Sequence, residues 1–381
     1  MENSASVLVL VAHPHEETIG FSSVCAGADV VSVTDGGWGG RAAARAHGFQ
    51  RACELLGARR GLILNLPDIF PWKLPVDVLI NRLRDLGPYR RVYTHSPFEA
   101  HRHQRDVALA ASLCFEEIWV RSLGGYAAEV HVLDRRAYQR KLQIMNAIYP
   151  RELPLLEEVP QGSAADMLAD IAGIESFVPT RWSEVHQALA LTTPEIRAEL
   201  PDTWAFTVSP YEIERYQRTC EVLAQACRER PPASILDLGA CEGVMTLRLR
   251  QLFPAAKIWA VESHPSFVHR LRERLSQEQD IDVVSASILD IPLSADLIVM
   301  AEMLYHVPEP IMSVLKRLRA TYLLTSYHGI FDACVQQSLR AFGWRESMGV
   351  EVLPRFEPVD GRESLLIARR PGSHIRLWRP A

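Results

Sequence analysis

The sequence of 381 residues contains no CxxC pair, and its seven cysteines (25, 53, 114, 220, 227, 241 and 334) are scattered. That excludes a disulfide framework and a cysteine-based zinc ribbon, and an odd, dispersed set reads as reduced thiols, so a cytoplasmic location is expected. Long apolar runs are also missing. The first, residues 7–12, is too short for a signal segment or a membrane span, so no membrane partner is expected. There is no basic excess: 41 Lys and Arg against 46 Asp and Glu give a formal charge of −5, which argues against nucleic-acid binding driven by overall charge. No internal repeat or low-complexity tract is visible. What is present is 48% hydrophobic and 23% charged residues, an ordinary globular composition, in a chain longer than one core usually holds. Two α/β domains are expected.

Apolar runs at 7–12, 29–34, 62–66, 91–94 and 117–120 alternate with amphipathic stretches at 41–57, 76–86 and 107–115. Strands alternating with helices predict a parallel sheet with helices on both faces. Residues 150–201 carry six prolines and read as helix and loop. A second alternation follows: a helix at 213–228, then strands at 234–238, 257–262, 282–286, 296–301 and 322–326, with an antiparallel pattern at 350–370. The fold class is therefore α/β, as two Rossmann-like three-layer domains spanning 1–204 and 205–381.

The first strand runs into Ala12-His13-Pro14-His15-Glu16-Glu17, and the strand at 91–94 leads to a cluster containing His95, Glu99, His101, His103, Gln104 and Asp106. Loops at the carboxyl ends of strands project side chains into a crevice. Imidazole and carboxylate together are the usual ligands of a catalytic Zn²⁺. Two such clusters can supply two histidines and a carboxylate, or can be two His- and Glu-rich surface loops.

These segments resemble the PIG-L (LmbE-like) family of zinc-dependent N-deacetylases. The family's AHPDDE, TDG, LPD and HPDH motifs correspond to residues 12–17, Thr34-Asp35-Gly36, Leu66-Pro67-Asp68 and the cluster at His101, with an Arg-led helix (Arg45 to Gly57) between. Glu175-Ser176-Phe177 matches a further short signature. The resemblance implies His13 and Glu16 as zinc ligands and a general base at the position of His15. His15 departs from the family's Asp and is read as base, as ligand, or as a mark of lost activity. Gln104 falls on the usual third-ligand position and is a poor zinc donor, so His103 is expected to bind instead, leaving a protonated His101 to steady the oxyanion. Glu17 is an alternative base. Arg45 matches a substrate-binding position or is a solvated helix residue, and Asp35 shapes its turn.

In the second half, Ile235-Leu-Asp237-Leu-Gly239-Ala-Cys241-Glu-Gly243 is a strand entering a glycine turn before a helix, and the next strand ends in Glu262. Glycines allow close backbone approach to a ligand, and an acid on the second strand suits ribose hydroxyls. This resembles class I S-adenosylmethionine-dependent methyltransferases. Ser209-Pro210-Tyr211-Glu212 with Arg215-Tyr216, and residues 296–305, are similar to the nodulation-factor N-methyltransferases. The resemblance implies cofactor contacts from Tyr211, Asp237, Gly239, Gly243, Glu262, Ser287, Ile288 and Glu302, with Tyr216 either a further contact or a packed aromatic. Tyr305 and His306 are expected to handle the acceptor's proton, with His328 a further candidate.

The functional expectation is a bifunctional tailoring enzyme. It removes an N-acyl group from an amino sugar or similar polar amide and methylates a nitrogen of the same or a related molecule, using S-adenosylmethionine and Zn²⁺. Two alternatives stand beside it. One is an N- or O-methyltransferase whose degenerate first domain is a substrate-binding or dimerising scaffold. The other is a binding protein that uses S-adenosylmethionine as a signal. The expected partner is a small molecule, with a homo-oligomer also open.

Overall fold

The computed structural model describes residues 7–37, 42–68, 73–123, 126–150, 173–304 and 311–381. The chain divides into two compact units, Met1–Thr193 with Glu363–Ile367, and Pro194–Arg362 with Ala368–Ala381. Among the described residues, no helix is long and apolar enough to cross a membrane.

In the first unit the strands are β1 (Val7–Val11), β2 (Asp29–Thr34), β3 (Arg60–Leu66), β4 (Arg91–Thr94), β5 (Ile118–Arg121), β6 (Glu129–Val132) and β7 (Ile174–Thr180). They form one sheet in the order β3-β2-β1-β4-β5-β7-β6. The first five are parallel, as their continuous apolar runs require of strands covered on both faces. Strand β7 runs antiparallel to both β5 and β6, so the sheet is mixed rather than parallel. This strand lies in the stretch read as helix and loop. Pro179 sits inside it, opposite Trp119, and masks its strand character in the sequence. The helix Ala42–Leu56 buries Phe49, Ala52, Cys53 and Leu56, one stripe at helical spacing, against Val9, Val11 and Val30.

The helix after β4 spans Arg102–Cys114, five residues earlier than the apolar pattern implies. His101 is its N-cap, and the His101 imidazole accepts from the His103 amide at 3.3 Å. The polar cluster is thus the first turn of a helix. This places His103 and Gln104 on the same turn.

The second unit contains β8 (Ser234–Leu238), β9 (Lys257–Glu262), β10 (Ile281–Ser285), β11 (Ser294–Ala301), β12 (Arg319–Tyr327), β13 (Trp344–Val352), β14 (Arg355–Pro358), β15 (Ile367–Arg370) and β16 (Ser373–Pro380). Its large sheet has the order β10-β9-β8-β11-β12-β16-β13, with β14 and β15 forming a separate pair. Strands β8 to β12 are parallel, and β16 is antiparallel to β12 and β13. Numbered within each large sheet, both read 3-2-1-4-5-7-6. The helix Pro210–Ala226 starts at Ser209, whose hydroxyl accepts from the Glu212 amide, with proline in the first turn where no N–H is needed.

Candidate functional site

In the first unit, β1 delivers His13, and the short helix Glu16–Gly20 follows at once. His15, its N-cap, has φ 108°, a left-handed backbone that non-glycine residues adopt only under constraint. The His15 ring lies 6.4 Å from that of His13 and 6.1 Å from that of Tyr149. His13, His101 and His103 each offer a ligating atom, all within 4.8 Å of one another. The closest approach is His13 Nε2 to His103 Nδ1, 3.0 Å. Asp68 Oδ1 lies 3.5 Å from the first of these nitrogens and 3.6 Å from the second. The cluster therefore gathers His13 and His103 of the expected ligand set together with His101 rather than Glu16, and adds Asp68, which sequence reasoning left inside a motif match.

Glu16 is differently engaged. Its Oε1 accepts from Gln104 Nε2 at 2.8 Å and faces His13 Nδ1 at 2.9 Å. Its Oε2 accepts from the His13 amide at 2.8 Å and lies 3.0 Å from His95 Nε2. Gln104, the poor zinc donor, is thus a hydrogen-bond donor to this carboxylate. Burial by itself would raise the Glu16 carboxyl, but His95 and His13 hold it well below the usual range. Burial would lower His13, and the charges of Glu16 and Asp68 outweigh it, lifting the imidazole to about 9. His101 moves the other way: burial and the charge of His13 push it down to about 4. An imidazole held neutral offers a lone pair, whereas the oxyanion role implied by the resemblance needs its proton.

Glu17 points elsewhere. It is fully buried and accepts from the His15 amide, Thr18 Oγ1 and Tyr149 Oη. Burial raises its carboxyl to about 7 against those hydrogen bonds. Asp35 Oδ1 accepts from the Gly37 amide at 2.7 Å, a turn-shaping contact, and Arg45 donates to the Gly36 carbonyl.

In the second unit, β8 leads into a turn with positive φ at Gly239, Cys241 and Gly243, which N-caps the helix Val244–Leu252. A Cβ on Gly239 would lie 3.1 Å from Met303, and one on Gly243 only 2.7 Å from Leu271. Both positions have a left-handed backbone that favours glycine, and a Cβ at either would press on a neighbouring side chain. Glu262 closes the turn: its Oε2 accepts from the Cys241 amide at 3.0 Å and its Oε1 from the Ser263 and His264 amides. Three of a carboxylate's roughly four acceptor positions are filled, which leaves room for a ribose hydroxyl. Asp237 is buried and takes a 2.6 Å hydrogen bond from Thr246 Oγ1, with burial raising its carboxyl to about 6. It braces the turn against the helix from within. Ser287, after β10, caps a turn by accepting from the Leu289 amide, and Ile288 beside it is half-buried.

Tyr211, Glu212, Arg215 and Tyr216 are all buried on the first half of the helix Pro210–Ala226. Arg215 donates from Nε and Nη2 to Glu212 Oε2, and its guanidinium lies 4.5 Å from the centre of the Tyr216 ring. Its Nη1 is buried with no hydrogen-bond partner among the described residues. Burial and the charge of Glu302 push the Tyr211 phenol up, which brings the end of β11 into this neighbourhood. Glu302 has φ 55°, accepts from Ser373 Oγ, and lies 3.6 Å from His328 Nε2. Tyr305 and His306 lie outside the described residues. Sequence reasoning gives Arg215 no role of its own. Its signal was an arginine one turn after Glu212, on a face otherwise packed inward.

A family model described as a methyltransferase domain matches residues 235–322. No curated protein matches the chain. Among solved structures, the chain is similar to the N-methyltransferase NodS from Bradyrhizobium japonicum WM9 in complex with S-adenosyl-L-homocysteine, at 17% identity and a TM-score of 0.40, covering 50% of this chain and 98% of that one. It is also similar to magnesium protoporphyrin IX methyltransferase (ChlM) from Synechocystis PCC 6803 with bound S-adenosylmethionine, at 14% identity and a TM-score of 0.36, covering 45% of this chain and 81% of that one. Residues 235–322, which carry the Gly239–Gly243 turn and Glu262, are those of a methyltransferase domain.

Proposed function

We propose that the second unit transfers a methyl group from S-adenosylmethionine to a nitrogen of a small polar molecule, and that the first unit hydrolyses an N-acyl group from the same or a related molecule, an amino sugar being the class in view. The observation that carries the first half is the glycine turn closed by Glu262 inside the matched methyltransferase stretch. Two features fit the cofactor: a carboxylate with acceptor capacity left, and the buried Nη1 of Arg215, suited to the carboxylate of the methionine portion. When bound, S-adenosylmethionine supplies an activated methyl group. The protein's part is to orient the acceptor in line and to take its proton, for which Tyr305 and His306 are the sequence's candidates and Glu302 with His328 a supporting pair.

The hydrolytic half is supported by the motif resemblance and by the His13, His101 and His103 cluster, whose imidazoles and adjacent carboxylates are donor types that suit zinc. When bound, zinc supplies a water acidified toward neutrality and polarises the amide carbonyl. His15 stands beside the cluster as the proton acceptor, and His101 lines its open side. The pairing has chemical sense: an amide nitrogen is a poor nucleophile and the released amine a good one. The engagement of Glu16 with Gln104 favours the second reading, a first unit that only binds substrate.

Incubating the full chain with methyl-labelled S-adenosylmethionine and matched amino sugars and N-acetyl amino sugars tests both halves. Label entering the free amines, and entering the acetylated forms only when zinc is present, is the expected result. Label entering neither defeats the methyltransferase half, and entry into amines alone leaves the binding-scaffold reading. Arg215→Met is expected to weaken S-adenosylhomocysteine binding at least tenfold in calorimetry, the scale of a lost charged hydrogen bond. Unchanged affinity would remove Arg215 from the cofactor site.

A further inference from the structure

Resting on the hydrolytic reading of the first unit, we propose that its metal is held by His13 Nε2, His103 Nδ1 and Asp68 Oδ1, with Glu16 as the outer carboxylate that orients His13 rather than a ligand. The geometry of the three donors carries this. Around zinc, with bonds of about 2.0–2.1 Å, tetrahedral ligand atoms stand roughly 3.3–3.4 Å apart. The three separations here are 3.0, 3.5 and 3.6 Å, so these atoms already outline one face of such a site. They come from the ends of β1 and β3 and from the first helical turn after β4, three segments that the sheet order brings to one edge.

Glu16 is oriented away from that face. The nitrogen of His13 that it holds is Nδ1, opposite the one turned to His103 and Asp68. Each of its oxygens lies within hydrogen-bond distance of two nitrogens, from His13, His95 and Gln104. A carboxylate bound to the far nitrogen of a ligating imidazole fixes its tautomer and leaves the near nitrogen's lone pair for the metal. Two histidines and one carboxylate are the donor set of catalytic zinc sites that keep a position for water. The His101 ring stands perpendicular to that of His13, with centroids 4.8 Å apart, and its Nδ1 is engaged by the His103 amide.

The test uses the full chain, stripped of metal and titrated with Zn²⁺ by chelator competition and with Co²⁺ by visible absorption. One equivalent of zinc is expected in the wild type. Asp68→Asn is expected to lower zinc affinity by more than a hundredfold and to alter the cobalt spectrum. Glu16→Gln should lower affinity by about ten- to a hundredfold, the usual effect of losing an outer hydrogen-bond partner, and keep the cobalt spectrum of the wild type. A changed spectrum in Glu16→Gln with an unchanged one in Asp68→Asn would overturn the donor set and leave the hydrolytic reading standing. A wild type that takes up no zinc overturns both. Where either variant fails to fold, anomalous diffraction from zinc-loaded wild-type crystals decides: an ion about 2.0–2.2 Å from Asp68 supports the assignment, and one on Glu16 refutes it.

Discussion

Replacing Glu17 with glutamine separates a titrating buried carboxyl from everything around it. Glu17 has no exposed surface, and burial lifts its carboxyl from an ordinary 4.5 to about 7 despite three hydrogen bonds. The folded protein thus binds this proton more tightly than the unfolded chain, by about 3 kcal/mol at roughly 1.4 kcal/mol per pH unit. The raised value sets the sign. The contribution is fully present below 4.5 and is lost as pH rises through 7. Glutamine keeps the volume and the acceptor for Thr18 and Tyr149 but cannot ionise. Its amide group faces the His15 N–H, so a constant penalty of about 1–3 kcal/mol is expected at every pH. The informative quantity is the difference between variant and wild type, from which the titrations of His13 and His101 cancel. Urea unfolding of the metal-free chain between about pH 4 and pH 8 should show that difference moving in the variant's favour by about 3 kcal/mol. A difference that stays flat across the range would refute the buried-carboxyl argument.

Two other substitutions probe the frame of each unit. Lys141 and Glu175 are a fully buried pair, with Lys141 Nζ donating to Glu175 Oε1 at 2.9 Å and to the Ile19 carbonyl at 2.6 Å. Lys141→Met, which strands the carboxylate, should cost about 3–5 kcal/mol in thermal unfolding, and adding Glu175→Gln should recover part of it. Gly243→Ala combines a left-handed backbone with a Cβ 2.7 Å from Leu271. It should cost about 2–4 kcal/mol and weaken S-adenosylhomocysteine binding in calorimetry; intact binding would show that the turn is not the cofactor cradle.

The parallel strands were the most legible part of the chain, because a strand covered on both faces must be apolar throughout, and β1, β2, β8 and β9 announce themselves that way. Strand β6 is short and alternates half-buried with exposed residues, and β7 carries Pro179, so neither has such a run. The helix after β4 begins in polar residues because its first turn faces the site rather than the core. At the site itself, sequence order could bring His13 and His103 together only through the resemblance. The engagement of Glu16 by His95 and Gln104, and the approach of Asp68, depend on which strands neighbour β1, which spacing along the chain does not encode. In the second unit the glycine turn was readable because positive φ selects glycine. The inward turn of Asp237 was not, since a buried and a ligand-facing aspartate share one letter.

The position of β16 has a consequence for how the second unit is made. This strand, Ser373–Pro380, lies between β12 and β13, and among the described residues β13 has no other strand neighbour in the sheet. As the polypeptide emerges from the ribosome, β13 must therefore wait, with neither row of its backbone N–H and C=O groups paired to a strand, until residues 373–380 have been synthesised and inserted beside it. The parallel portion can assemble first, but this corner of the molecule is completed only by the arrival of a later segment in an already occupied sheet. During that interval β13 is an open edge, and a second nascent chain offers it the same pairing.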